Sequence, residues 1–222
     1  MTDLIAYHND PALKSFVLTQ LAEHREADKL IKGAYWQNGK GCAVGCTLEA
    51  VRLHKGKKGA RIDHVSHALY ESELGIPLML ARLEDKHFEA LSNGDSQAWP
   101  ERFISAINPG ANLAMVWPRY ALWLLVDELP QRTKRPATVA SLAEVAALYR
   151  EWVEGAKPSA ERWASARRTD DAYGVGGGAA YAAYAADDAY AAYAAYAADD
   201  GYARASFWKR SADKIIELLE AA

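Results

Sequence analysis

The chain has 222 residues and a formal net charge of −3; half of its residues are apolar and a quarter are charged. A chain of this length can bury a core without disulfides or structural metal, and its small net charge argues against nucleic-acid binding driven by bulk electrostatics. The first residues lack a signal peptide's pattern, and the most apolar run, residues 113–129, is interrupted by charged residues and a proline. We therefore expect a cytoplasmic protein without membrane contact.

The first predicted helix begins at Asp10, an N-capping residue followed by Pro11, which suits a first helical turn. Apolar side chains then recur at helical spacing and predict a helix to about Lys32. Glycines predict a turn over residues 33–41, and a second helix is expected over residues 42–53.

Short helices are predicted over the next part of the chain. One runs over residues 64–74 and ends at Gly75, and Pro77 opens the next. The sequence Asn-Gly-Asp at residues 93–95 predicts a turn, and a short helix is expected over residues 100–107. The apolar run at residues 113–129 predicts a helix in the middle of a bundle.

A polar, basic stretch at residues 130–136 is the best linker candidate, and an amphipathic pattern resumes over residues 141–153. Two arrangements stay open: an N-terminal helical region at 1–130 joined to a C-terminal helical region at 131–222, or one continuous domain. No run of alternating strands is found. The predicted fold is all-α, a helical bundle with an alanine- and tyrosine-rich C-terminal helical section.

That C-terminal section has a biased composition. Residues 179–200 contain thirteen alanines, five tyrosines and four aspartates, behind a glycine-rich hinge at 174–178. Alanine's high helix propensity predicts a helix, which could be buried, broken at its aspartate pairs, or a partner surface. The partner surface would use six residues: Tyr184, Tyr190, Tyr193, Tyr196, Asp187 and Asp199.

The two cysteines, Cys42 and Cys46, lie one helical turn apart behind a Gly-Lys-Gly turn. At that spacing both sulfurs would share one helix face and could bind a zinc ion. The further ligand candidates follow in the sequence: His54, His64, His67 and Glu71.

Two other interpretations of the cysteine pair stay open. Small residues around the thiols would allow tight helix packing, since cysteine is often buried. Alternatively Cys42, at a helix start, would be a nucleophile with His67 or His64 as its base. We expect no enzyme on balance, and zinc is the one cofactor considered.

Two charged features indicate binding. An anion could bind to the backbone amides of residues 41–43, the first of which is Gly41. The Lys40 ammonium would add a positive charge to this site. A basic loop over residues 52–61 is solvated, or binds the acidic C-terminal section of the same chain, or contacts an acidic partner. Nucleic acid would require more basic surface, so the expected partner is a protein, with a homo-oligomer as an alternative.

The segment at residues 35–47, which contains Gly-Lys-Gly-Cys-Ala-Val-Gly-Cys-Thr, and the blocks at residues 70–77 and 80–85 resemble uncharacterised bacterial and prophage proteins. Those proteins also end in an alanine- and tyrosine-rich tail, and they imply no activity. The tail alone resembles, in composition, helical immunity proteins. The sequence thus predicts a non-catalytic, phage- or defence-related binding protein, with a Cys42/Cys46 enzyme or metal-binding protein as the alternative.

Overall fold

The computed structural model describes residues 4–56, 66–132, 136–172 and 201–222. Within these ranges the regular structure is helical, which confirms the predicted all-α class. Two isolated bridges join loop residues, and no named strand occurs in the described part. The α-helices are α1 (Pro11–Glu26), α2 (Ala43–His54), α3 (Leu69–Leu74), α4 (Leu78–Ala90), α5 (Asn93–Ala106), α6 (Val116–Trp123), α7 (Pro136–Val153), α8 (Ala160–Ala172) and α9 (Gly201–Glu220).

By its internal contacts the chain divides into two compact units. The first contains Met1–Ala114 and Trp208–Ala222, and the second contains Met115–Phe207. The predicted boundary at residue 130 differs from this division in two ways. The second unit begins before the π-helical segment Leu124–Glu128, and the last part of α9 belongs to the first unit.

The core of the first unit is organised around His87 on α4. Its Nδ1 lies 2.7 Å from the Leu83 carbonyl and its Nε2 lies 2.8 Å from the Ser211 hydroxyl. Because a carbonyl only accepts, Nδ1 must carry the proton and Nε2 accepts from Ser211. The imidazole also contacts Trp99 and Trp208, with ring centroids 5.0 and 5.3 Å away. This buried histidine ties the last part of α9 to α4 and α5.

The start of α1 agrees with its predicted cap. Asp10 Oδ1 accepts hydrogen bonds from the amides of Ala12, at 2.8 Å, and Leu13, at 3.3 Å. The helix ends at Glu26, earlier than the predicted Lys32, and Asp28 follows with a φ of +50°. A left-handed residue cannot continue a right-handed helix, so the chain turns there.

The prediction for residues 93–107 is wrong in one respect. Asn93, Gly94 and Asp95 form the first turn of α5, and this helix continues through Pro100. The Ser92 hydroxyl accepts from the Asp95 amide at 3.2 Å and acts as the N-cap. Residues typical of turns are also typical of helix starts, and the serine cap decides between them.

The second unit is built on aromatic side chains. Tyr149 of α7 lies at the centre, with ring centroids 6.4 Å from Trp117 of α6, 6.1 Å from Trp152 and 4.9 Å from Trp163 of α8. The Nζ of Lys157 lies 4.7 Å from the centroid of Trp152. α7 begins at Pro136, five residues before the predicted start. In the described chain, no helix combines the length and apolar character that crossing a membrane would require.

Candidate functional site

The loop between α1 and α2 carries the functional candidates at its end. Asn38 and Gly39 have φ values of +53° and +78°, and the backbones of Gln37 and Lys40 exchange hydrogen bonds of 2.7 and 3.0 Å. Two successive left-handed residues between paired neighbours form a type I′ turn, for which Asn-Gly is the preferred sequence. The Gly41 amide then donates to the Lys29 carbonyl at 2.9 Å. The turn and this bond place Lys40 beside Lys29.

Gly41 and Gly45 allow the loop to pack directly on the start of α2. A Cβ at either position would overlap the carbonyl oxygen of Tyr35, and at Gly41 it would also lie 2.9 Å from the Trp36 ring. Close backbone approach is a main reason for glycine in folded chains. The two glycines of the Gly-Cys-Ala-Val-Gly-Cys sequence are therefore explained by packing.

The two thiols have different surroundings. Cys42 is the N-cap residue of α2 with extended backbone, and its thiol lies near the Asp85 carboxylate. Cys46 lies inside α2, with its Sγ 3.5 Å from the Gly41 carbonyl oxygen. The helix begins at Ala43, so the predicted start at Cys42 is one residue too early and the two cysteines do not both lie inside the helix. Both cysteines are buried.

Asp85 of α4 is the centre of a buried polar cluster. Its Oδ2 lies 3.4 Å from the Tyr35 hydroxyl and 3.4 Å from Nε2 of His67. The Tyr35 and His67 rings meet edge to face, with centroids 5.4 Å apart. With the Cys42 thiol, the cluster joins the loop, α2, the segment before α3, and α4.

The groups of this cluster do not activate the Cys42 thiol as a nucleophile. Burial raises the pKa of Cys42 far above its usual range, and the Asp85 carboxylate raises it further. A catalytic thiolate is stabilised by a neighbouring cation or a base that takes its proton. Here the group beside the thiol is the carboxylate of Asp85, which disfavours the thiolate and lies 3.4 Å from Nε2 of His67. Burial also raises the pKa of Cys46, to about 12.

The other predicted zinc ligands have separate positions. The His54 ring is exposed and packs on Phe16, with centroids 5.0 Å apart. Glu71 accepts a 2.9 Å hydrogen bond from the Leu78 amide and so caps the start of α4. His64 lies outside the described residues. Among those described, no three histidine, cysteine, aspartate or glutamate side chains form a group that could bind a metal ion.

Two of the three backbone amides of the predicted anion site are already hydrogen-bonded within the protein. The Gly41 amide is bonded to the Lys29 carbonyl, and the Cys42 amide donates to the Ala34 carbonyl at 2.7 Å. An anion bound to these two amides would have to displace their backbone hydrogen bonds. Lys40 itself is exposed and lines an open groove beside the loop.

A second buried carboxylate, Glu84, precedes Asp85 in α4. It is fully buried and accepts a 2.6 Å hydrogen bond from the Tyr70 hydroxyl. Burial raises its pKa to about 8. Sequence reasoning missed both carboxylates, although Glu84 lies four residues after Leu80 and four before Phe88, on the apolar face of the helix. An acidic residue at that position was the available signal.

An open groove lies beside the Asn-Gly turn, with a volume of about 360 Å³. It falls between the C-terminal half of α1, the loop and the outer face of α2. Its lining combines polar, charged and aromatic groups: Gln20, Glu23, His24, Ala27, Lys29, Trp36, Asn38, Gly39, Lys40, Glu49 and Leu53. We call this feature the turn groove.

Two aromatic side chains form part of the turn groove. The ring centroids of His24 and Trp36 lie 5.7 Å apart. His24 is only 4% exposed, and its Nδ1 is buried without a hydrogen-bond partner in the described structure. Burial lowers its pKa, and the nearby Lys29 ammonium lowers it further. His24 is therefore neutral at physiological pH.

The candidate partner residues of the C-terminal section lie outside the described residues, and so does the glycine-rich hinge at 174–178. This applies to Tyr184, Tyr190, Tyr193, Tyr196, Asp187 and Asp199. No known protein family, no functionally described protein and no solved structure matches the chain. The resemblance to bacterial and prophage proteins stays a prediction.

Proposed function

We propose that this is a non-catalytic, cytoplasmic binding protein that contacts another protein through the turn groove. The observation that carries the proposal is the lining of the groove, where aromatic, apolar and charged side chains lie around an open space of about 360 Å³. Binding sites typically combine an apolar surface with a few polar groups that fix orientation. A space at the lower end of the usual size range, about 300–1,000 Å³, suits a few side chains of a larger partner.

The buried thiols support binding over thiol chemistry. Both cysteines are reduced and buried, and burial raises both pKa values. A reducing cytoplasm is the compartment where such free thiols persist. A phage- or defence-related role is the further expectation, and it comes only from the resemblance of the sequence.

The test uses two matched leucines. Leu53 and Leu69 are 41% and 39% exposed, and only Leu53 is part of the turn groove. A library of random short peptides would be selected on the full-length protein, and the affinities of the enriched peptides measured for Leu53→Asp and Leu69→Asp.

We expect Leu53→Asp to weaken binding at least tenfold and Leu69→Asp to leave it unchanged. Thermal melting should show both variants folded, because substitutions at exposed sites change stability by only about 0.5 kcal/mol. Equal affinities of the two variants for every enriched peptide would refute the proposal.

A further inference from the structure

The charges of the turn groove are unevenly paired. The carboxylate of Glu23 accepts a 2.7 Å hydrogen bond from Gln20, and that of Glu49 lies 2.9 Å from Arg52. Neither Lys29 nor Lys40 has a carboxylate partner among the described residues. With Arg52 pairing with Glu49, the two lysine charges of the groove exceed the one remaining carboxylate charge, that of Glu23, which its neutral partner Gln20 does not cancel.

The backbone holds these two lysines next to each other. Lys29 donates its amide to the His24 carbonyl at 2.8 Å, and its carbonyl accepts from Gly41 at 2.9 Å. Lys40 is the last residue of the type I′ turn and pairs with Gln37 through both backbone groups. Such fixed positions reduce the ordering cost when the side chains bind a ligand.

Apolar and aromatic surface adjoins the lysines. The ring of Trp36, the methyl of Ala27 and the side chain of Leu53 all line the groove. His24 is buried and neutral, so it adds no positive charge to the groove. A ligand that combines an anionic group with an apolar group would use both parts of this lining.

Building on the proposed function, we infer that the turn groove binds an acidic polypeptide segment. A carboxylate of the segment lies between the ammonium groups of Lys29 and Lys40, and a neighbouring apolar side chain packs against Trp36 and Leu53. Lysine binds carboxylates through a compact point charge, so the contact does not require a bidentate geometry. The recognised chemistry is the carboxylate, which a side chain or a chain terminus can supply.

The test uses the peptides enriched from the random library on the full-length protein. Each acidic peptide is compared with its Asn/Gln counterpart, and each free C-terminus with its amide. The protein variants are the double substitution Lys29→Gln, Lys40→Gln and the control Lys209→Gln, an exposed lysine outside the groove. Affinities are measured at low and physiological salt, because exposed charge pairs weaken as salt rises.

We expect the enriched peptides to be rich in Asp and Glu, and the double substitution to lower their affinity at least tenfold. Lys209→Gln should have no effect, and the Asn/Gln peptides should bind wild type and the double variant equally. Loss of affinity on amidation, but not on Asn/Gln exchange, would assign the carboxylate to a chain terminus.

The two proposals fail in different ways. If the selected peptides lose affinity with Leu53→Asp but not with the lysine substitutions, the groove binds a partner and the acidic anchor is wrong. If neither Leu53→Asp nor the lysine substitutions lower the affinity of the peptides, both proposals are wrong. A single-stranded oligouridylate that displaces the acidic peptide and itself depends on both lysines would overturn the acidic-polypeptide assignment.

Discussion

At the residue scale, position 45 requires glycine, because the carbonyl oxygen of Tyr35 lies where the Cβ of any other residue would be. We predict that Gly45→Ala lowers the free energy of unfolding by about 1–3 kcal/mol, the usual cost of overpacking. Gly94, in the first turn of α5, has open space around it. Gly94→Ala should therefore raise stability by up to about 1 kcal/mol, because alanine restricts the unfolded chain. Denaturant unfolding of both variants measures the difference, and a neutral Gly45→Ala would contradict the packing account.

The thiols give a second prediction at the same scale. Because burial raises the pKa values of Cys42 and Cys46, little thiolate forms in the folded protein at pH 8. We expect iodoacetamide to label both cysteines very slowly in native buffer and rapidly in denaturant. Rapid native labelling of Cys42 that Cys46 does not share would restore the nucleophile hypothesis.

At the scale of elements, Glu84 makes the stability of the packing around α4 fall as the pH rises. Its folded pKa of about 8 lies above its ordinary value of 4.5. The unfolded chain therefore releases this proton more readily, and stability falls as the pH rises from about 4.5 to about 8. The slope from this group is at most about 1.4 kcal/mol per pH unit.

Glu84→Gln should remove this pH dependence, since glutamine stays neutral. Unfolding free energies measured between pH 6.5 and 8, above the range in which His87 titrates, should fall with pH in wild type and stay flatter in the variant. A Tyr70→Phe control retains the carboxylate and should retain the decline. Identical slopes in wild type and Glu84→Gln would contradict the account.

His87 gives the contact between α4 and α9 the opposite pH dependence, in which stability falls as the pH drops. Burial lowers its pKa from 6.5 to about 4, so protonation favours the unfolded chain and stability falls as the pH drops from about 6.5 to about 4. Ser211→Ala removes the hydroxyl that Nε2 accepts from and should cost about 1–3 kcal/mol. Melting temperatures at pH 7 test this cost. A Ser211→Ala protein as stable as wild type would contradict the proposed tie between the two helices.

At the scale of the whole molecule, local patterns predicted the helices but not their long-range neighbours. Asp10 and Gly75 marked helix ends correctly because capping acts within a few residues. The contact of His87 with Ser211 spans 124 positions and joins α4 to the end of α9, which belongs to the first unit. No periodicity carries that information.

The sequence also predicted local features of the candidate site but not its long-range neighbours. The sequence singled out the glycine and cysteine motif as a candidate site, and in the structure its glycines serve packing and its Cys42 lies near Asp85. The turn groove was not predicted. The Asn-Gly dipeptide at residues 38–39 indicates a type I′ turn, yet the lining from α1 becomes known only when the loop is placed in three dimensions.

The central claim is that the molecule acts through the turn groove and not through its thiols. The most direct measurement compares the affinity of one selected peptide for wild type, Cys42→Ser and Leu53→Asp, all as full-length folded proteins. We predict that Cys42→Ser binds as wild type does and that Leu53→Asp binds at least tenfold more weakly. Loss of binding in folded Cys42→Ser, with binding retained in Leu53→Asp, would contradict the account.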